Sequence, residues 1–201
     1  MTTPSDDWNQ AYLQQNPAPW DVGRPQPAFA ALAAQGGLDG LTVLDAGCGT
    51  GEHALLLAER GSVVTGIDLA DSALQLAKGK AVARGLTVTF EAGDVLTMPL
   101  PRHGFDAVVD SGLFHVFDDA DRARYVGVLG DVLRPGGICV LMCFSDRQPG
   151  DWGPRRVTRQ EIETAFSDGW SIDSLEHALF DINPTFGTTS VQAWLAMIRR
   201  S

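Results

Sequence analysis

The stretch Thr42-Val43-Leu44-Asp45-Ala46-Gly47-Cys48-Gly49-Thr50-Gly51 constrains the possible fold more than any other part of the chain. It reads as a short apolar strand that ends in an acid and breaks into a glycine-rich turn. Ala54, Leu55, Leu57 and Ala58 then supply an apolar helix face. Glycine allows positive φ and a close approach of main chain to a ligand, because no Cβ stands in the way. A strand–glycine turn–helix unit is where doubly wound α/β folds hold nucleotide-like molecules.

The rest of the chain repeats the alternation. Strands are predicted at Leu41–Asp45, Val63–Asp68, Thr87–Glu91, Phe105–Asp110 and Ile138–Phe144, with helices at Gly51–Arg60 and Asp71–Arg84 and after the acids Asp118, Asp119 and Asp121. The run Ile138–Phe144 is apolar almost throughout, as a strand covered on both faces requires. Such β/α alternation specifies a mostly parallel sheet between helices. A polar loop, Ser145–Pro154, then precedes a short helix over Thr158–Phe166, where Thr158 and Glu161 have capping-box spacing. Trp170–Phe180 and Ser190–Arg199 read as a final antiparallel pair joined by Asp181–Thr189, a connection short for a crossover helix.

Bulk properties narrow the function classes. The chain has 201 residues, 44% of them hydrophobic and 20% charged, with a formal net charge of −10. That length suits one domain with a sizeable core. Its charge repels phosphate backbones and anionic lipid, so neither nucleic acid nor a membrane is expected as a partner. No apolar run is long enough to span a bilayer, and Met1–Asp7 lacks a signal-peptide core, so a cytoplasmic location is expected. Cys139 and Cys143 lie four residues apart in one strand, roughly 13 Å, too far for one disulfide or one metal. These and Cys48 are expected in the core. His53, His103 and His177 have no partners at metal-ligand spacing, so no metal is expected.

The glycines fall at Gly47, Gly49 and Gly51, and Glu52 stands where a dinucleotide fingerprint wants its third glycine. This spacing disfavours a nicotinamide-dependent oxidoreductase. With Asp45 before it, the turn resembles the first motif of class I S-adenosylmethionine-dependent methyltransferases. Asp68, about 20 residues on at the end of the second strand, is placed for two ribose hydroxyls. Gly93-Asp94-Val95 resembles the family's adenine-binding turn, and Leu133-Arg134-Pro135-Gly136-Gly137 its turn into the fifth strand. The resemblance covers roughly residues 40–200. It implies a Rossmann-like sheet of seven strands in the order 3-2-1-4-5-7-6, strand 7 antiparallel, over residues 41–201. Residues 1–40, with two tryptophans, a tyrosine and a proline cluster, read as a lid over the strand ends, the alternative being a disordered leader.

The segment Pro19-Trp20-Asp21-Val22-Gly23-Arg24-Pro25-Gln26-Pro27 resembles the leading segment of the thiopurine, thiol and halide methyltransferases, and of actinobacterial enzymes acting on heterocyclic toxins. The resemblance implies cofactor contacts from Trp20, Arg24, Asp45, Gly47, Cys48, Gly49, Asp68, Leu69, Asp94, Val95 and Ser111. Trp20 would lie near the sulfonium, and Arg24 would meet the methionine carboxylate. Plainer alternatives are a core aromatic for Trp20 and a surface ion pair for Arg24.

His115, just after the fourth strand, is the best-placed titratable group for deprotonating a nucleophile; the alternative is a packing histidine. Trp8, Tyr12, Phe114, Trp152 and Arg155 complete the expected substrate site. The implied reaction moves a methyl group from S-adenosylmethionine to an O, N or S atom of a small, heteroaromatic molecule, releasing S-adenosylhomocysteine. Thiol or halide methylation and a non-catalytic cofactor-binding regulator are the alternatives. Asp110-Ser111-Gly112-Leu113 lacks the Asn/Asp-Pro-Pro-aromatic pattern of base-methylating enzymes.

Overall fold

The computed structural model describes residues 4–14, 18–185 and 187–201. The elements run α1 (Pro4–Leu13), α2 (Pro27–Ala34), β1 (Thr42–Ala46), α3 (Glu52–Glu59), β2 (Val63–Asp68), α4 (Asp71–Arg84), β3 (Thr89–Ala92), β4 (Phe105–Ser111), α5 (Asp119–Val132), β5 (Leu133–Phe144), α6 (Arg159–Ala165), β6 (Trp170–Thr185) and β7 (Thr188–Arg200). A single turn of 3-10 helix, Phe114–Val116, follows β4.

The strands form one sheet in the order β3-β2-β1-β4-β5-β7-β6. β1 pairs in parallel with β2 and β4, and β4 with β5, whereas β7 is antiparallel to both β5 and β6. This is the expected seven-stranded topology. Period-two alternation divides the core between the faces. Val43, Val140 and Met142 pack under α2, α3 and α4, while Leu44, Cys139, Leu141 and Cys143 pack under α5 and α6. The three cysteines are free and buried.

Local chemistry sets the helix starts. Asp118 caps α5 by accepting the Asp121 N–H at 2.8 Å, and Thr158 and Glu161 make the expected capping box on α6. α3 starts at Gly51, which has φ +82°; a Cβ there would meet Ala77 and Phe90 at 2.9 Å. The third glycine of the turn therefore answers to helix packing.

Most boundaries fall within two residues of expectation, and two stretches differ more. The connection expected at Asp181–Thr189 is mostly strand, with β6 continuing to Thr185 and β7 starting at Thr188. A register shift between Asp181 and Thr185 lets the pair extend that far. The Leu133–Gly137 stretch is also the irregular first part of β5, with a register shift opposite Phe105/Ala107, rather than a turn ahead of the strand.

The N-terminal segment lies across the C-terminal ends of the strands. Pro19 accepts the main-chain N–H of Asn183, whose side chain donates to the carbonyls of Ala18 and Asp21. The Gln26 side chain bonds both the N–H and the carbonyl of Asp181, at 2.7 and 2.9 Å. α1 rests on the start of α4, where Ser5 donates to the Leu69 carbonyl and Asn9 accepts from the Ser72 N–H.

Candidate active site

Between these strand ends and the N-terminal segment is a cavity of about 820 Å³. It lies where β1 and β4 diverge in connection, the position at which doubly wound sheets bind ligands. One end is formed by the glycine turn and the strand-end acids. The other is apolar and aromatic, with Leu113, Val116, Phe117, Phe144, Trp152 and Phe180.

At the first end, Asp68 accepts the Gly49 N–H on one oxygen and the Ala70 N–H on the other, both at 2.8 Å. Burial raises its pKa, against the pull of these bonds. A carboxylate oxygen has two lone pairs, so each keeps one for a ligand hydroxyl. Asp94 binds the Leu96 N–H through Oδ1, and its Oδ2 takes no hydrogen bond from the described residues. Gly47, Cys48, Leu69, Val95 and Ser111 line the same cavity. Trp20 donates to the Tyr12 hydroxyl at 2.8 Å, and the Trp8 and Trp20 rings meet edge-on at 5.4 Å. The Tyr12 hydroxyl stands 2.9 Å from where a Cβ of residue 49 would be, so Gly49 is what lets this aromatic trio close over the turn. Two carboxylates, an apolar shelf and an aromatic cover suit a nucleoside-bearing sulfonium cofactor.

Five expected site residues are placed differently. Asp45 is 1% exposed and does not line the cavity. It lies beneath the turn and accepts the Ala54 N–H at 3.0 Å, tying β1 to the start of α3. Burial pushes its carboxyl up to about 7. Phe114 is fully buried outside the cavity, stacked on Phe166 with the Arg122 guanidinium 4.6 Å from its ring centroid. Arg24 lines the cavity, but its guanidinium pairs with Asp181 at 2.7 Å, which is the surface ion pair rather than the carboxylate contact. Arg155 reaches the cavity edge with its charge held by Asp119 and Glu161. His115 lines the cavity at 6% exposure, with its Nδ1 accepting the Phe144 N–H at 3.0 Å. Burial pushes its pKa down to about 3, so it is a neutral ring rather than a ready base.

The fold gives partners to residues whose role the sequence leaves open. Arg156 donates to the carbonyls of Gln148, Gly150, Trp152 and Pro154, and its guanidinium lies over Phe144 and Trp152 at 5.4 and 5.6 Å. It shapes the loop that carries the Trp152 wall. His53 also lines the cavity; its Nε2 accepts the Gln26 N–H at 3.1 Å, and burial lowers its pKa to about 4. Thr50 accepts from Lys80 and donates to Asp21, linking the turn to the covering segment. An Arg-Arg pair and a helical histidine are visible in the sequence, but their partners lie in loops and distant strands.

Comparison with known proteins agrees with this geometry. A methyltransferase-domain family model matches residues 43–137, from β1 into β5. The 2-heptyl-1-hydroxyquinolin-4(1H)-one methyltransferase of Mycobacteroides abscessus is 38% identical over 163 residues, covering 80% of this chain and 71% of that protein. The probable thiol methyltransferase 2 of Arabidopsis thaliana is 25% identical over 193 residues, covering 94% and 84%. A solved structure concerned with conversion of a disulfide bond into a thioacetal group during echinomycin biosynthesis has a TM-score of 0.83 and 37% identity, covering 96% of this chain and 89% of that one. With the 3-2-1-4-5-7-6 sheet and a carboxylate at the end of β2 beside the glycine turn, these similarities show that the chain belongs to the class I S-adenosylmethionine-dependent methyltransferases.

Proposed function

We propose that the chain methylates an O, N or S atom of a small, flat, heteroaromatic molecule. The observation that carries this reading is the continuity of the cavity from the carboxylates that suit a nucleoside to a pocket walled by Phe117, Phe144, Trp152 and Phe180. S-adenosylmethionine supplies an electrophilic methyl group on a sulfonium. Asp68 and Asp94 would hold the nucleoside, Leu69 and Val95 would cover its base, and Trp20 would lie towards the positive centre. The aromatic end would receive a planar acceptor on the side of the methyl group. Correct placement contributes about 7–11 kcal/mol to such a displacement, against about 3–5 kcal/mol from a general base. A site whose titratable side chains are engaged by the protein is thus chemically sufficient. Similarity to a hydroxyquinolone methyltransferase supports the heteroaromatic class.

A sulfur acceptor is the second reading, favoured by similarity to a probable thiol methyltransferase over 94% of this chain. Formation of S-adenosylhomocysteine across N-hydroxy heterocycles, phenols, thiols and iodide decides between them. Turnover led by N-hydroxy heterocycles or phenols supports the proposal. Turnover confined to simple thiols or iodide selects the second reading. Silence across the whole panel, with cofactor binding intact, sinks both.

A further inference from the structure

We infer that His115 is a fixed hydrogen-bond donor to the substrate, so that the chain selects nucleophiles conjugated to a second acceptor atom and takes them already ionised. The inference rests on the methyl-transfer reading above and adds the chemistry of the acceptor.

The Phe144 N–H occupies the Nδ1 lone pair of His115. A neutral imidazole has one lone pair and one N–H, so its proton is on Nε2. Phe144 meets the ring edge-on at 4.9 Å, and Phe180 lies 6.4 Å away. The Cε1–Nε2 edge lies over Gly112, 3.5 Å from where a Cβ would be, immediately after β4. The aromatic end of the cavity thereby gains one polar group with a set direction. Taking a proton at Nε2 would require the ring's own proton to move to Nδ1, where it would face the Phe144 N–H, donor against donor.

The charges around the ring point the same way. Burial chiefly keeps it neutral, and Arg122 of α5 and Arg156 of the loop before α6 act in the same direction. Glu161 pairs with Arg122, and Asp151 acts on Arg156. The Arg122 Nε and Nη2 are buried and have no hydrogen-bond partner among the described residues. A ring that cannot take a proton suits an acceptor that has already lost one, and its N–H bonds an anionic acceptor more strongly than a neutral one. Anionic N-hydroxy heterocyclic ketones fit, because their charge is shared between the nucleophilic oxygen and a ring carbonyl. His115 holds the carbonyl and leaves the nucleophile free. The nucleophile's lone pair forms the bond to the methyl carbon, the carbon–sulfur bond breaks, and its electrons stay on sulfur. Anion and sulfonium charges cancel, and no proton is transferred.

The test uses His115→Asn, whose side-chain oxygen can still accept the Phe144 N–H, and His115→Gln, whose amide N–H reaches towards the Nε2 position. With 1-hydroxyquinolin-4(1H)-one, kcat/KM should fall about 10- to 100-fold in the Asn variant, and the Gln variant should recover most of it. Thiophenol, which has no second acceptor, should lose far less than this in the Asn variant and gain no recovery from Gln. The wild-type pH profile should follow the ionisation of each substrate. Nitrogen NMR should show His115 as the Nε2–H tautomer, still neutral as the pH falls through 6.5.

Equal losses for both substrates in both variants would overturn the inference. So would an Nδ1–H tautomer, or an enzyme group titrating near 6.5 that His115→Asn abolishes. If the wild-type protein methylates neither compound, the acceptor reading fails on its own account, and the NMR result still decides the state of His115.

Discussion

Asp45 and Asp68 look alike in the sequence, as acids that close adjacent strands, yet their surroundings give them different work. Asp68 faces the cavity and holds the turn by two main-chain N–H groups. Asp68→Ala should weaken S-adenosylmethionine binding by about 1–3 kcal/mol, read by calorimetry. Undiminished affinity would remove it from the site. Asp45 is a strut, and Asp45→Ala strands the Ala54 N–H under the turn. Its effect should appear as a loss of about 1–3 kcal/mol in urea unfolding. A stability equal to wild type would refute the strut. Spacing identified both acids as important, but it cannot tell a ligand-facing carboxylate from a buried one. That difference depends on which way a side chain leaves its strand and on what covers it. The same reason accounts for Phe114, an aromatic in the right loop whose ring turns into the core.

At the scale of elements, the covering segment is fastened to β6 by side chains reaching across the fold. Gln26 is 2% exposed and satisfies both main-chain groups of Asp181, 155 residues away. Gln26→Ala leaves both groups unpaired and should cost about 1–3 kcal/mol of stability. Amide exchange should quicken over α2 and the preceding segment, with weaker cofactor binding. Unchanged exchange there would show that the other ties, from Asn183, Thr50 and the Arg24–Asp181 pair, fasten it without the Gln26 side chain. Arg156 does comparable work for the Trp152 loop. Arg156→Lys keeps the charge but cannot reach four carbonyls, because an ammonium is a compact donor and a guanidinium a planar fork. The substrate KM should rise several-fold while cofactor affinity stays the same; a matching loss of cofactor affinity would contradict this division. Regular elements were legible because periodicity records burial. These ties were not, since a polar side chain bonding a distant carbonyl leaves no periodic trace.

Taken as a whole, the molecule carries two sets of buried groups with opposite pH behaviour. Burial raises Asp45 to about 7 and Asp110 to about 6, so the folded state binds these protons more tightly than the unfolded chain, where the ordinary value is 3.8. Their contribution to stability is full below 3.8 and is lost as pH rises through 6 and 7. His53 and His115 are lowered from 6.5 to about 4 and about 3, so their contribution is full above 6.5 and is lost as pH falls below it. The two sets offset each other across mildly acidic pH, and Asp45→Asn should uncover the histidines. Relative to wild type, that variant should lose stability on going from neutral to mildly acidic pH, followed by urea unfolding at each pH; parallel profiles would exclude the assignment.

By itself, the sequence determined the alternation of strands and helices and, through its resemblance to a known family, the sheet order and the cofactor. The alternation follows from hydrophobic period and the resemblance from glycine spacing and acids at strand ends, all of which are local in the chain. Only the tertiary structure decided that Asp45 is internal, that Arg24 and Arg155 are already paired, and that His115 is neutral with Nδ1 engaged by Phe144. Protonation and direction are set by what lies within a few ångströms in space, and those neighbours come from strands and loops far apart in sequence.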